Sequence, residues 1–258
     1  MKKLLILLCI TSISCKNNSS EWVELKLDQD LSDWHIYQDD GTKKGWSAEN
    51  NILIFDKISG LESGEEDASL LSNKQYTSFE IRFDWKIEKG GNSGFMWGVN
   101  EDVMYKFPYQ TGPEIQIIDT KVYDNPKEIL GGEIELNNIK TDLEAKKHYL
   151  GAVYDLFPPN NKIKVNPTGV WNTYQIKIDQ TNNLGTVKLN GIIINKFPLN
   201  GDLWDERIHN SKFSKSGDYP YLGDKRWYDF GKFKKGAICF QDHPGKAYFK
   251  NILIREIN

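Results

Sequence analysis

Short runs of β-branched and aromatic residues recur along the chain, each bounded by Gly, Asn, Asp or Pro. In the clearest run, Thr77–Ile87, every second residue from Phe79 onward is apolar and the residues between are polar or charged. This period of two predicts strands with one face in a core and one in water. We predict strands at Ile52–Phe55, Ser69–Leu71, Ser78–Ile87, Gly94–Val99, Ile115–Ile118, Ala152–Asp155, Trp171–Asp179, Leu184–Leu189, Ile192–Phe197, Gly236–Gln241 and Ala247–Glu256. So many short strands in one domain favour an all-β fold of two packed antiparallel sheets.

Turn and helix signals agree with that fold. Asn190-Gly191 separates two strand patterns and predicts a type I′ hairpin turn, since both central residues of that turn need positive φ. Helical periodicity is nearly absent, and only Leu130–Lys147 is compatible with one or two helical turns. Pro198–Phe233 is the longest predicted loop region, and its aromatic content favours a functional role.

The N-terminus carries an export signal. Two lysines precede an apolar run from Leu4 to Ile13 that is too short to span a bilayer, and Cys15 follows it. The pattern resembles a bacterial lipoprotein signal, with residues 1–14 removed, Cys15 lipidated and residues 15–21 forming a polar tether. It predicts a protein anchored in a bacterial envelope, on the outer membrane facing the periplasm. A plain secreted protein cleaved nearby is the alternative.

Composition excludes several classes of protein. The formal net charge of −3 comes from interspersed acidic and basic residues, so nothing indicates a nucleic-acid partner. Of three cysteines, Cys239 alone remains once Cys9 and Cys15 belong to the signal, which excludes a disulfide framework. Cys239 lies in an apolar strand pattern and is predicted to be an inert core residue. Residues 22–258 are predicted to form a single domain.

The segment Thr111–Asp119, T-G-P-E-I-Q-I-I-D, places polar side chains inside a β-branched run. Strand alternation puts Glu114 and Gln116 on one face. Asp119 joins them only if a β-bulge adds one residue after Gln116. The same bulged spacing carries the carboxylates of laminarinase-type glycoside hydrolases, which this segment resembles, but all three positions are acidic there. Retaining hydrolysis needs two carboxyls about 5 Å apart, so the amide counts against that chemistry. A strand whose outer face is merely polar is the alternative.

A second polar cluster lies at Asn92-Ser93-Gly94. Glycine permits close approach of the backbone, and Asn92 is able to bond a sugar hydroxyl or, alternatively, to cap its own turn. Aromatic side chains able to stack on a pyranose ring are a further sign of sugar binding. Those singled out are Trp97, Tyr154, Trp204, Tyr221 and Trp227.

Two histidines are candidates for proton transfer. His243 lies in Q-D-H-P-G just past an apolar strand, and the ordinary pKa of histidine suits proton transfer near neutrality. A turn histidine bonded to the backbone is the alternative. His148 is the second candidate. Asp242 is predicted to orient His243 or to bind a divalent cation together with Glu114 or Asp119, although no metal-ligand spacing is diagnostic.

Six segments in order resemble the 3-keto-disaccharide hydrolase family. They are G-G-N-S-G-F-M-W (Gly90–Trp97), T-G-P-E-I-Q-I-I-D (Thr111–Asp119), G-A-V-Y-D-L (Gly151–Leu156), W-N-T-Y-Q-I (Trp171–Ile176), L-N-G (Leu189–Gly191) and G-A-I-C-F-Q-D-H-P-G-K-A-Y-F-K-N-I-L-I-R-E-I (Gly236–Ile257). The likeness covers nearly all of the chain after the signal. It implies a concanavalin-like, laminarinase-like jelly roll and substrates that are glycosides oxidised at sugar carbon 3.

A 3-keto sugar changes the chemistry that the site must perform. The ketone acidifies the hydrogen on carbon 2, so a base removes it and the enolate expels the glycosidic oxygen from carbon 1. Such a site needs a base, a donor or cation for the enolate oxygen, and an acid for the leaving group. We predict Glu114, His243 and Asp119 as catalytic residues and Asn92, Ser93, Trp97, Gln116, Tyr154, Gln241 and Asp242 as substrate-binding residues. A non-catalytic lectin-like module and a laminarinase-like glycosidase are the alternatives.

Overall fold

The computed structural model of the chain describes residues 21–39, 41, 43, 45–56, 68–120, 132–135, 146–160, 162–214, 227–243 and 245–257. Within these residues the strands form two antiparallel sheets and one two-stranded ribbon. The all-β prediction is therefore confirmed. Every predicted strand overlaps an observed strand except Ala152–Asp155, where only Val153 forms an isolated bridge.

One sheet has eight strands. From one edge to the other they are β13 (Ile192–Phe197), β12 (Leu184–Leu189), β11 (Asn172–Asp179), β6 (Phe79–Ile87), β15 (Lys246–Glu256), β4 (Ile52–Asp56) and β3 (Trp46–Glu49), with β1 (Val23–Glu24) also paired to β15. The hairpin between β12 and β13 turns at Asn190 and Gly191, whose φ angles of 49° and 84° confirm the predicted turn class.

The second sheet has five strands. In order they are β2 (Trp34–Ile36), β5 (Leu70–Tyr76), β14 (Gly236–Phe240), β7 (Asn92–Val99) and β8 (Glu114–Ile118). A short 3-10 helix, Pro108–Gln110, lies in the connection between β7 and β8. The very short strands β1, β2 and β3 escaped prediction, because two to four residues carry little periodicity.

One expectation about helices is corrected, and another is tested only in part. Within Leu130–Lys147 the structure shows a strand, β9 (Gly132–Glu135), which pairs with β10 (Lys162–Val165), and a helical residue at Lys146. Residues 130, 131 and 136–145 lie outside the described residues, so the one or two helical turns expected in this segment stay a prediction. The correction concerns the predicted loop region, part of which is a helix, α1 (Asp202–His209). Its acidic first turn and basic last turn complement the helix dipole, a signal that was available in the sequence.

The core lies between the two sheets and is rich in aromatic rings. Phe83 of β6 contacts Phe95 of β7 and Phe240 of β14, with ring centroids 5.6 and 5.2 Å apart. Phe240 also stacks on Phe249 of β15 at 4.3 Å. These four rings are fully buried and join the sheets across the sandwich. Truncating such a side chain to alanine typically costs about 3–5 kcal/mol, so each of these rings contributes substantially to stability.

We call the face of the five-stranded sheet that points away from the eight-stranded sheet the outer face. Cys239 and Met96 lie opposite each other on it, in a smaller apolar cluster with Leu71 and Tyr37. Cys239 is a free, buried thiol, as predicted. None of the described helices is both long and apolar enough to cross a membrane.

Candidate active site

Strand β8 carries the polar residues of the site on the outer face. Glu114 pairs with Met96 and Gln116 pairs with Gly94, both on the neighbouring strand β7. Ile115 and the other alternate isoleucine of β8 are fully buried in the core between the sheets. The side chains of Glu114 and Gln116 therefore point away from the core, as the alternation predicted.

The free edge of β8 is covered by a short segment of the chain. The Gln116 backbone N–H donates to the Ala152 carbonyl at 3.0 Å, and the Tyr154 N–H donates to the Glu114 carbonyl at 2.9 Å. With the bridge between Ile115 and Val153, this pairing places Tyr154 beside Glu114 on the outer face. Pairing ends there because Asp155 takes a left-handed conformation, with φ of 61°. The predicted strand is therefore replaced by a turn that carries site residues.

Gly94 makes room for the Glu114 carboxyl group. A Cβ atom built on Gly94 would lie 2.1 Å from Glu114 Oε1 and 2.6 Å from its Cδ. The carboxyl group thus lies directly over the bare backbone of the neighbouring strand. The sequence suggested that this glycine admits a ligand, but the structure shows that it admits a side chain of the protein.

The Glu114 carboxyl is buried, and burial raises its pKa from 4.5 to about 7. Two groups oppose the rise: the Lys212 ammonium, and the Gln241 amide, whose Nε2 lies 3.4 Å from Glu114 Oε2. A carboxyl with a pKa near the working pH is able to take up and release a proton. Neither Asp119 nor His243 is among the groups that act on this carboxyl.

The raised pKa of Glu114 leads to a prediction about how stability depends on pH. Between pH 4.5 and about 7 the folded protein holds a proton on Glu114 that the unfolded chain has released, so stability falls as pH rises through this window. Glu114→Gln removes that loss, which corresponds to about 3 kcal/mol. Urea unfolding should show the variant more stable than the wild type at pH 8, by up to that amount, and similar to it at pH 4. An equal difference at both pH values would contradict a buried carboxyl with a raised pKa.

Lys212 is a site residue that the sequence patterns did not indicate. Its side chain is partly buried, and its Nζ lies 4.2 Å from the centre of the Tyr154 ring and 5.2 Å from that of Phe213. Burial lowers the pKa of Lys212, while Glu114 and Asp155 partly restore it. The residue lies in the aromatic segment that was predicted to be functional, but a single lysine there gives no sequence signal.

Asp155 connects this lysine to the second histidine candidate. His148 Nε2 lies 2.9 Å from Asp155 Oδ1, and the Lys212 backbone N–H donates to Asp155 Oδ2 at 2.7 Å. Burial raises the pKa of Asp155, but these two hydrogen bonds, together with the electrostatic attraction of His148 and Lys212, outweigh it and hold the pKa below its usual range. The His148 ring also lies 4.7 Å from the Tyr154 ring. His148, Tyr154 and Lys212 are thus held together beside Glu114.

Several buried side-chain oxygens of the site accept no hydrogen bond from any described residue. They are Glu114 Oε1, Gln116 Oε1, Asn92 Oδ1 and Gln241 Oε1. By strand register they belong to β7 and β8 and to the residue after β14, where the Gln241 N–H donates to the Gly94 carbonyl at 2.9 Å. A buried polar atom without a partner costs free energy. All four belong to side chains on the outer face of the five-stranded sheet.

Asp119 lies apart from this cluster. The pairing of β7 with β8 runs in unbroken register to Ile118 and continues as the Asp119 N–H donates to the Gly91 carbonyl. The β-bulge after Gln116, which Asp119 would need in order to join Glu114 and Gln116 on one face, is therefore absent. Asp119 Oδ2 instead accepts from the Gly90 N–H at 2.8 Å and holds the turn between β6 and β7. The prediction that Asp119 lies beside Glu114 is therefore wrong.

Ser93 and Asp242 hold the fold together in the structure. Ser93 is fully buried opposite Ile117, and its hydroxyl donates to the Gln241 carbonyl at 2.8 Å. Asp242 accepts from the Ala68 N–H through one oxygen and from the Ser69 hydroxyl through the other. These bonds fasten the start of β5 to the end of β14. Because Ser93 is fully buried, it is not placed to contact a substrate as predicted, while the predicted role of Asp242 stays a prediction.

The predicted cation site is not assembled either. Asp119 and Asp242 each bond a different turn, and neither acts on Glu114. Among the described residues, no group of three or more His, Cys, Asp or Glu side chains is placed to hold a metal ion. His243 follows Gln241 by two residues, beyond the end of β14, and is only partly buried.

Most aromatic residues predicted to stack on a sugar belong to the core. Trp97 is 4% exposed and packs on Phe197, and Trp204 and Trp227 are each 3% exposed. Burying a large apolar ring stabilises the fold more than leaving it at the surface, which is why most of these rings are core residues. Trp97, Trp204 and Trp227 also line a cavity of about 760 Å³, so their predicted contact with a sugar stays a prediction. Tyr154 is the described member that lies beside Glu114. Tyr221 and Cys15 lie outside the described residues.

The fold and the site together define a class of protein. The two-sheet antiparallel sandwich is a concanavalin A-like jelly roll, and it carries a buried carboxyl and several carboxamides on the outer face of one sheet. Residues 21–255 match the model of the 3-keto-alpha-glucoside-1,2-lyase-like domain, and the chain belongs to that family. The family resemblance drawn from the six ordered motifs is thereby confirmed.

Individual relatives agree with the family match. A 3-keto-disaccharide hydrolase from Bacteroides thetaiotaomicron is 26% identical over 239 residues, covering 87% of this chain and 74% of that protein. The crystal structure of a candidate glycosyl hydrolase from Parabacteroides distasonis is 29% identical, with a TM-score of 0.70 over 92% of this chain and 94% of that one. A second such structure from the same organism is 22% identical, with a TM-score of 0.58 over 92% of this chain and 100% of that one, and supports the fold alone.

Proposed function

We propose that this protein cleaves the glycosidic bond of 3-keto-glycosides, including 3-keto-disaccharides, by elimination. The observation that carries the proposal is the Glu114 carboxyl, buried among acceptor oxygens and with its pKa raised to about 7. The family membership and the name of the Bacteroides relative support the same substrate class.

Glu114 acts as the base in this mechanism. Its carboxylate takes the proton from carbon 2, and the bonding electrons form an enolate with the carbon 3 ketone. The electrons then return to make a double bond between carbons 1 and 2, and the bond from carbon 1 to the glycosidic oxygen breaks. The proton held by Glu114 is available to the departing oxygen. Water then adds across the double bond, so that glycoside and water give a 3-keto sugar and an alcohol.

The surroundings of Glu114 favour elimination over double displacement. A retaining glycosidase needs a second carboxyl about 5 Å from the nucleophile. The groups that act on the Glu114 carboxyl are an ammonium and an amide, and the next position on the outer face is Gln116. The family description also names a 1,2-lyase, in agreement with bond cleavage between carbon 1 and its substituent by loss of the carbon 2 proton.

The acceptor oxygens of Asn92, Gln116 and Gln241 complete the proposed site. Sugar hydroxyls are hydrogen-bond donors, and these three oxygens accept none from the described residues. The same observation favours a second candidate function, a lectin-like module that binds sugar without cleaving it. The two differ in whether the Glu114 carboxyl is needed for turnover.

A substrate comparison tests the proposed function directly. We expect turnover of a chromogenic 3-keto-glucoside and little or none of the unoxidised glucoside, because only the ketone acidifies the carbon 2 hydrogen. Deuterium at carbon 2 should slow the reaction where proton removal limits the rate, and solvent deuterium should enter that position where removal is reversible. Equal turnover of both glucosides without either isotope effect would favour double displacement. Binding without turnover would favour the lectin-like module.

The N-terminal signal supports a proposal about the location of the protein. We propose that a lipid on Cys15 anchors it in the bacterial envelope. The apolar run from Leu4 to Ile13 and the cysteine that follows carry it. Cys15→Ser should abolish incorporation of a labelled fatty acid and release the protein from the membrane fraction. Cys239→Ser is the matched control, since that thiol is buried and its replacement should leave labelling unchanged. Failure of the wild type to take up the label would refute the anchor.

A further inference from the structure

The ammonium group of Lys212 has no hydrogen-bond partner among the described residues. Its Nζ lies over the faces of Tyr154 and Phe213, at 4.2 and 5.2 Å from the ring centres. An ammonium group carries three donors, and none of those of Lys212 is used by the described residues. The ammonium group is held against aromatic rings, near Glu114 and its unpaired acceptor oxygens. This arrangement indicates that one ligand binds both the ammonium group and the acceptors.

Lys212 and Glu114 act on each other electrostatically without touching. Each affects the pKa of the other, yet they form no ion pair within 4.0 Å. Neither charge is therefore neutralised by direct contact with the other.

The position of Lys212 is fixed through its backbone. The Lys212 N–H donates to Asp155 Oδ2 at 2.7 Å, while His148 occupies the other oxygen of that carboxyl. Asp155 itself takes φ of 61°, a conformation that side-chain-bearing residues adopt at a cost and that is frequent at functional sites. Asp155 is thus a positioning residue that links the turn beside Tyr154 to the segment carrying the lysine.

We infer that Lys212 is the catalytic cation that stabilises the enolate oxygen formed at carbon 3. When Glu114 removes the carbon 2 proton, the electron pair moves through carbon 3 to its oxygen, and the Lys212 ammonium donates a hydrogen bond to that oxygen without losing its proton. The electrons then flow back as the bond from carbon 1 to the leaving oxygen breaks. This inference rests on the proposed function and assigns to one residue the electrophile that this chemistry requires.

Removing the ammonium tests the inference. Lys212→Met keeps a long apolar side chain against the rings, and we expect kcat for a 3-keto-glucoside to fall about 10²–10³-fold, as for the loss of one oxyanion donor, with a small change in KM. Exchange of the carbon 2 hydrogen with solvent should slow by a similar factor, because it needs the same enolate. Lys212→Arg keeps the charge and should retain much more activity than the methionine variant.

Lys250→Met is the matched control. Lys250 also places its Nζ over an aromatic ring, 4.2 Å from the centre of Trp171, but on the eight-stranded sheet. It should lose neither activity nor exchange. If Lys212→Met exchanged the carbon 2 hydrogen at the wild-type rate and lost only turnover, the lysine would act on the leaving group and the inference would be overturned. Full activity of this variant would overturn it as well. Absence of turnover and exchange in the wild type would instead refute the proposed function, and this inference with it.

Discussion

Turnover of a 3-keto-glycoside should fall by about 10²–10⁴ when Glu114 is replaced by glutamine, the range expected for loss of a general base. The substitution keeps the size of the side chain and the contact with Gln241, so substrate binding should be largely retained. Steady-state kinetics and direct binding measurements on the same variant separate the two effects. A protein that only binds sugar would have no turnover to lose, in the wild type or in the variant.

The pH dependence sharpens this prediction. Since burial raises the pKa of Glu114 to about 7, kcat/KM of the wild type should climb as pH rises toward that value and level off above it. In Glu114→Gln the ascending limb should disappear from the residual activity. Asp119→Asn is the control for the other carboxyl of this segment, because Asp119 holds the turn at Gly90. Full activity of Glu114→Gln, with loss in Asp119→Asn, would transfer the role of base to Asp119.

Gly94→Ala should cost roughly 10²-fold in turnover although it removes no functional group. The added methyl group would lie 2.1 Å from Glu114 Oε1, so the carboxyl must move away from its place over β7. Misplacing a reacting group by about 1 Å is enough for such a loss. The backbone of Gly94 has no positive φ, so strain of the main chain does not confuse the result. Turnover should fall strongly, while the free energy of unfolding should change little.

Gly185→Ala provides the matched comparison. Its added methyl group would lie 2.2 Å from the Phe197 ring, in the eight-stranded sheet. The steric conflict is similar, but the neighbour is an apolar core ring and not the proposed base. We expect this variant to lose stability and to keep its turnover while folded. Equal loss of activity in both glycine variants would show that Gly94 has no special relation to Glu114.

Local patterns in the sequence were sufficient for the architecture. The alternation in Thr77–Ile87 predicted the central strand β6, and Asn190-Gly191 predicted the hairpin from β12 to β13. In both cases the information lies within a few residues, because strand period and turn dihedral angles are local properties. For the same reason strand alternation by itself assigns Glu114 and Gln116 to one face. The order of six motifs then identified the family, which no single motif would have done.

Only the tertiary structure decided which groups surround Glu114. Lys212 lies far along the chain from Glu114 and reaches the site through a hydrogen bond from its backbone to Asp155. Gly94 receives the carboxyl group because of the register between β7 and β8, and the same unbroken register removes Asp119 from the site. Contacts of this kind depend on the pairing and packing of segments far apart in the chain. Residue type and spacing therefore determined the face and the proposed base, while long-range packing determined the pKa of that base and the cation beside it.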